Sequence, residues 1–128
     1  MEKISEIEKN LKIENKKSQA PVTGFLISSA VITKKNIYYG HNTESKNSHV
    51  FFHAEQDALN KVLLNEKKPI VTEIVMMGRG IINKFKSYTP CSKCIDILRP
   101  YSNSRTTIKL TPIKKGGRYM KLSFNDIS

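Results

Sequence analysis

The segment from Ile70 to Met77 limits the possible folds of this chain more than any other. Most of its residues are apolar, Pro69 precedes it, and Gly78 and Gly80 follow it. A strand with one solvent-exposed face alternates apolar and polar residues, whereas a strand buried on both faces is largely apolar. We therefore expect this segment to be the central strand of a sheet that is covered on both sides.

The rest of the chain predicts the other helices and strands. Apolar residues at helical spacing predict an amphipathic first helix within Glu2–Lys17, a second over Phe52–Leu64 that begins near His53, and a short third helix over Cys94–Leu98. Segments rich in β-branched and apolar residues predict further strands at Val22–Thr33, Ile37–Tyr39, Thr106–Leu110 and Arg118–Leu122. The predicted order is α-β-β-α-β-α-β-β, an α/β fold in which the first two strands form a hairpin.

Length and composition predict one globular domain, residues 1–128. A chain of 128 residues can bury a core without disulfides, and 38% hydrophobic and 26% charged residues are typical of soluble proteins. No run approaches the roughly 18 apolar residues of a membrane span, and the charged segment Met1–Lys17 lacks the apolar stretch of a secretion signal. We expect a cytoplasmic protein that does not use a membrane.

The formal net charge of +11 leaves a nucleic-acid partner open. Lysine and arginine clusters attract phosphates without regard to sequence, and the segment Arg79–Thr89 is basic. The basic residues are, however, spread along the whole chain in short pairs such as Lys34-Lys35 and Lys67-Lys68. This distribution favours solvated turns and faces over a phosphate-binding surface.

Two short segments carry residues suited to a catalytic metal. Both cysteines of the chain lie in Cys91-Ser92-Lys93-Cys94, and His53-Ala54-Glu55 stands at the start of the predicted second helix. One imidazole and two thiolates are suitable ligands for Zn²⁺, and three protein ligands rather than four leave a position open for water. The sequence therefore predicts one zinc ion per chain, held by His53, Cys91 and Cys94.

Glu55 gives this zinc site a catalytic interpretation. It lies two residues after His53, near the metal without being a ligand. Zinc lowers the pKa of bound water to roughly 7, and a carboxylate within reach can accept that proton and deliver it to a substrate. Either segment alone is more typical of a redox cysteine pair or of a capping histidine. Together they form the H-x-E and P-C-x-x-C pattern of zinc deaminases.

With these motifs the chain resembles the cytidine deaminase family, in its variant with one histidine and two cysteine ligands. The similarity runs from about Ser18 to the C-terminus and includes Asn42-Thr43-Glu44, which matches the family's N-x-E element. The resemblance implies a three-layer α-β-α fold, with a mixed five-stranded sheet and helices on both faces. It also implies a homo-oligomer, with a tetramer favoured over a dimer.

The resemblance further implies roles for substrate-binding residues. Asn42 and Glu44 would hold the sugar hydroxyls, the Ala54 backbone N–H would bind the pyrimidine carbonyl, and the Thr89 carbonyl would accept from the exocyclic amine. The implied function is hydrolytic deamination of cytidine or deoxycytidine to uridine or deoxyuridine, with release of ammonia, in pyrimidine salvage. The alternatives are a deaminase or binding module for single-stranded nucleic acid or another aminated base, and a structural zinc domain, which would not need Glu55.

Two positions depart from the family pattern. Gln56 stands where the small tetrameric members usually have arginine, and we interpret this as electrostatic, because one neutral imidazole and two thiolates already balance Zn²⁺. Ala20 stands where the family has an aromatic residue that stacks on the base. Phe51, Phe52 and Phe124 are the candidates for that contact, and each is equally compatible with an ordinary core position.

Overall fold

The fold was obtained as a computed structural model, which describes residues 4–18, 26–44, 51–79, 96–112 and 120–123. The helices are α1 (Ile4–Asn15) and α2 (Ala54–Asn65). The strands are β1 (Leu26–Thr33), β2 (Ile37–His41), β3 (Thr43–Glu44), β4 (Phe51–Phe52), β5 (Val71–Arg79), β6 (Thr107–Pro112) and β7 (Met120–Ser123). A helical turn at 96–98 continues into a 3₁₀ turn at Arg99–Tyr101. Within these ranges no helix is long and apolar enough to cross a membrane.

The main sheet has five strands in the order β2-β1-β5-β6-β7. β5 pairs in parallel with β6, and the other neighbouring strands are antiparallel. β5 is central, and its residues Ile74, Val75, Met76 and Met77 are at most 1% exposed, so side chains on both of its faces are buried. The predictions of a central buried strand, of a β1–β2 hairpin and of a mixed five-stranded sheet are confirmed.

Helices cover the two faces of this sheet and complete three layers. On one face Ile7 and Leu11 of α1 pack against a cluster formed by Ala30, Val75 and Met77. On the other face Ala58, Leu59 and Val62 of α2 pack against Val31, Ile74, Met76, Ile108 and Leu110. Each fully buried aliphatic side chain contributes about 1.5–3 kcal/mol relative to its exposed state. The predicted α-β-α arrangement is confirmed.

The short helical segment after β5 lies on the same face as α2. Leu98 is fully buried in the cluster that contains Ala58 and Leu59, and Ile97 and Tyr101 pack against this cluster. Because β5 and β6 are parallel, the chain must return from the end of β5 to the start of β6, as in any βαβ unit. The part of the predicted third helix over 96–98 is confirmed, and Cys94 lies outside the described residues.

The segment before α2 differs from its prediction. The predicted order has no strand between Ile37–Tyr39 and the helix that begins near His53, but Thr43–Glu44 and Phe51–Phe52 pair as antiparallel two-residue strands. Aromatic residues favour extended backbone, and His53 is itself extended, so α2 starts only at Ala54. The predicted element order is therefore corrected by the additional strands β3 and β4.

Candidate active site

The first turn of α2 carries the candidate catalytic residue. His53 occupies the N-cap position with φ −82° and ψ 153°, and its backbone N–H donates to Gln56 Oε1 at 3.0 Å. Ala54 and Glu55 follow at 1% and 3% exposure. A carboxylate is stabilised near a helix N-terminus, yet it is rarely this buried unless it is paired or used in chemistry. Glu55 therefore combines a buried position with a location beside the candidate metal ligand.

The β3–β4 pairing brings the predicted sugar-binding residues to the start of α2. Thr43 lies opposite Phe52, and Glu44 lies opposite Phe51. Paired strands are about 4.7–5.5 Å apart, and His53 follows Phe52 directly in the chain. The structure thus brings Thr43 and Glu44 beside the two residues that directly precede His53, although Thr43 and Phe52 are 9 positions apart in the sequence.

Asn42 is a buried residue with a fixed amide. It is 7% exposed, and its Oδ1 accepts from the Ile27 N–H at 2.8 Å. Its own backbone N–H donates to the Ile27 carbonyl at 3.0 Å. These two bonds to Ile27 hold the Asn42 amide in one orientation against β1. Asn42 is therefore a buried and oriented residue rather than a solvated loop residue.

Gly40 allows β2 to approach α2 closely. A Cβ at Gly40 would lie 2.9 Å from Asp57 Cβ and still closer to the Ala54 carbonyl oxygen and the Ala58 nitrogen. Both of those atoms belong to helix backbone, which cannot move aside as a flexible side chain can. The absence of a side chain at Gly40 is therefore what permits the strand that leads into Asn42 to lie against the first turn of α2.

A polar network joins α1, β2 and α2 beside this close approach. His41 Nδ1 lies 2.5 Å from Glu14 Oε2 and 3.5 Å from Asp57 Oδ2. Lys61 Nζ lies 3.8 Å from Asp57 Oδ2 and 4.0 Å from Glu14 Oε2, and it donates to the Tyr39 carbonyl. Sequence spacing does not predict this network, because it does not reveal which elements become neighbours.

Glu14 is the buried member of this network. Its side chain is 8% exposed, and burial acts to raise its pKa. The hydrogen bond to His41 and the charges of Lys61 and Lys17 outweigh burial and hold the pKa below its ordinary value of 4.5. Potential ligand atoms of Glu14, His41 and Asp57 lie within 4.8 Å of one another, as they would around a metal ion. Because a lysine ammonium already lies beside both carboxylates, we assign the group as an ion-pair network.

Three of the predicted site residues lie outside the described residues: Thr89, Cys91 and Cys94. The structure nevertheless restricts where the described chain resumes, since the segment from Asp96 onward packs on the α2 face of the sheet. The helical segment that follows Cys94 in the sequence thus shares a face of the sheet with the helix that follows His53.

A large cavity lies at the other end of β2, away from the candidate site. It has a volume of about 630 Å³ and is lined mainly by the β1–β2 turn, from Ile32 to Ile37, together with Thr72. β2 runs from Ile37 at that turn to His41 at the candidate site, a distance of about 13 Å for an extended strand. None of the predicted site residues that the structure describes lines this cavity, and we do not assign the active site to it.

Comparisons with known proteins agree with the fold and the motifs. Residues 1–109 match the family model described as the cytidine and deoxycytidylate deaminase zinc-binding region. The cytidine deaminase of Mycoplasma genitalium is 25% identical over 119 residues, which are 93% of this chain and 87% of that protein.

Solved structures agree at the level of the fold. The cytidine deaminase of Burkholderia pseudomallei superposes with a TM-score of 0.79 at 20% identity, over 98% of this chain and 96% of that one. The cytidine deaminase of Mycobacterium leprae superposes with a TM-score of 0.70 at 13% identity, over 99% and 98% of the two chains. With its fold, its H-x-E motif and a family match over most of its length, the chain belongs to the cytidine and deoxycytidylate deaminase zinc-binding family.

Proposed function

We propose that this chain is a zinc-dependent deaminase that hydrolyses cytidine or deoxycytidine to uridine or deoxyuridine and releases ammonia. The observation that carries the proposal is the β3–β4 pairing, in which Thr43 and Glu44 lie opposite Phe52 and Phe51, the two residues directly before His53. A free nucleoside requires recognition of its sugar and of its base in one enclosed place. A role in pyrimidine salvage follows from the use of free nucleosides.

The residues of this chain fit one zinc ion. His53, Cys91 and Cys94 would hold it. His53 stands at the positive end of the α2 dipole, which would favour anionic thiolates bound beside it. A bound Zn²⁺ with an open position would activate water and stabilise the negative charge that develops during hydrolysis. One imidazole and two thiolates balance the charge of the ion without a further cation.

Glu55 would move protons in this reaction. Water adds to the carbon that bears the amino group, and the C–N bond to that group breaks, so protons must leave the water and reach the ring and the departing nitrogen. A buried carboxylate in the first turn of α2 can accept a proton from the water and return it to these nitrogens. The product carbonyl and ammonia account for all atoms.

The substrate would be held by side chains and backbone together. Asn42 and Glu44 would bind the sugar hydroxyls, the Ala54 N–H would bind the pyrimidine carbonyl, and the Thr89 carbonyl would accept from the exocyclic amine. Ala54 supports its role because it is the first residue of α2, where backbone N–H groups have no partner within the helix. The fixed amide of Asn42 supports recognition of a compact ligand.

A panel of substrates tests the proposal. The zinc-loaded chain is incubated with cytidine, deoxycytidine, deoxycytidylate and a single-stranded oligonucleotide that contains cytosine, and deaminated product is measured by chromatography. We expect turnover of both nucleosides and none of the oligonucleotide. Turnover of the oligonucleotide but not of the nucleosides would refute the proposal and support the alternative that the net charge of +11 raises. Such turnover would fall steeply with added salt.

We also propose that the chain acts as a single catalytic domain in a homo-oligomer, with a tetramer favoured. The match to the Mycoplasma genitalium relative covers 87% of that protein, so the relative is of similar size, which supports a single domain. Light scattering after size exclusion would give four times the chain mass of 14.6 kDa for the tetramer. The mass of a single chain would contradict it.

A further inference from the structure

A backbone-to-side-chain hydrogen bond connects the end of β2 to the first turn of α2. The backbone N–H of His41 donates to Asp57 Oδ2 at 3.1 Å. His41 directly precedes Asn42, and the Asp57 N–H donates to the His53 carbonyl at 3.1 Å within the first turn of α2. The carboxylate of Asp57 thus connects the strand that leads into the sugar-binding element with the helix that carries His53 and Glu55.

The close contact at Gly40 makes this bond possible. Without a Cβ at Gly40, the end of β2 lies directly against the first turn of α2, within reach of a side chain as short as aspartate. Gly40 therefore sets how close the two elements can come, and Asp57 bonds to the next residue along the strand.

The acceptor oxygen of Asp57 is held from other sides as well. His41 Nδ1 lies 3.5 Å and Lys61 Nζ lies 3.8 Å from the same Oδ2 atom. The side chain is 32% exposed, so water screens these contacts only in part. An acceptor that carries charge forms a stronger hydrogen bond than a neutral acceptor. These contacts hold the carboxylate in the position from which it accepts the His41 N–H.

We propose that Asp57 is a positioning residue that fixes the separation between Asn42-Thr43-Glu44 and the first turn of α2. The proposal rests on the proposed function, in which Asn42 and Glu44 hold the sugar while Glu55 acts on the base. Glu55 moves with α2, so loss of the connection displaces the sugar-binding residues relative to the reacting centre. Its main effect is therefore on the binding of nucleoside, and the proton transfer is affected less.

Three variants separate this connection from the rest of the network. Asp57→Ala removes the acceptor, Asp57→Asn keeps an oxygen acceptor but removes the charge, and His41→Ala removes the imidazole but keeps the backbone N–H. With the zinc-loaded chain and cytidine, we expect Asp57→Ala to raise KM about tenfold with kcat within about threefold of wild type. Asp57→Asn and His41→Ala keep an acceptor oxygen and the backbone N–H, so they should raise KM less than Asp57→Ala does.

Other kinetic outcomes would overturn the proposal. Unchanged KM in Asp57→Ala, or a loss confined to kcat, would show that the connection does not position the sugar-binding residues. An equal rise in KM in Asp57→Asn or His41→Ala would assign the effect to the charge network instead of the backbone hydrogen bond.

Hydrogen exchange provides a readout that does not depend on activity. The amide of residue 41 should exchange faster in Asp57→Ala than in wild type, and should stay protected in Asp57→Asn and His41→Ala. If wild type deaminates no nucleoside, the proposed function fails, and hydrogen exchange alone then tests whether Asp57 holds the His41 N–H. Unchanged protection of this amide in Asp57→Ala would overturn the positioning role of Asp57.

Discussion

At the scale of single residues, Gln56 has a role that its charge alone did not predict. We interpreted it from the sequence as a neutral replacement for arginine beside a zinc ion that needs no further cation. In the structure its Oε1 accepts the His53 N–H at 3.0 Å, as the third residue of a capping box does. Gln56 therefore fixes the backbone of the candidate metal ligand, a role that only the helix boundary at Ala54 reveals.

Glu14 gives a prediction for the dependence of stability on pH. Its pKa is lower in the folded chain than its ordinary value of 4.5, so the unfolded chain binds more protons as pH falls below that value. Its contribution to the free energy of unfolding is therefore complete above pH 4.5 and is lost as pH falls through the folded pKa. We expect the stability difference between wild type and Glu14→Gln to hold above pH 4.5 and to shrink as pH falls below it.

The control for Glu14 is a second glutamate on the same helix. Glu6 is exposed and forms no ion pair within the part of the chain that the structure describes. Urea unfolding is measured for Glu14→Gln and Glu6→Gln at each pH, with the same zinc content in both samples. The free energies of unfolding of the two variants are then compared. A Glu14→Gln difference that stays constant with pH, or that Glu6→Gln reproduces, would contradict the assignment of the ion-pair network.

At the scale of elements, local pattern predicted most helices and strands but not how they meet. β5 and the β1–β2 hairpin followed from apolar runs and a polar turn, because burial and turn chemistry leave a direct trace in sequence. The β3–β4 pairing could not be predicted from the sequence, because a strand of two residues is too short to show a periodic pattern. Gly40 was the available signal, since a glycine inside a strand often marks close approach of another backbone.

Gly40→Ala tests the close approach of β2 and α2. The added Cβ would meet the Ala54 carbonyl and the Ala58 nitrogen, and overpacking of this kind costs about 1–3 kcal/mol. The control is Ser29→Ala, since Ser29 pairs with Gly40 and its buried hydroxyl has no hydrogen-bond partner within the described ranges. We expect urea unfolding to show a loss only for Gly40→Ala, with Ser29→Ala neutral or stabilised. Equal midpoints for Gly40→Ala and wild type would contradict the assigned packing.

At the scale of the whole molecule, the sequence predicted the layers and the family better than the completed site. Helices on both faces of a mixed sheet follow from a central strand that is apolar on both sides, and the structure has this arrangement. The ligand set depends on Cys91 and Cys94, whose positions relative to His53 remain a prediction. The fixed orientation of Asn42 could not be read from the sequence, since it depends on Ile27 of a neighbouring strand.

The most direct test compares zinc-loaded wild type with Glu55→Gln, with zinc content and conversion of cytidine to uridine measured on the same samples. We predict that both proteins retain zinc, that wild type forms uridine, and that Glu55→Gln is slower by about 100-fold or more. Absence of uridine from zinc-loaded wild type, or equal rates for the two proteins, would contradict the proposed function.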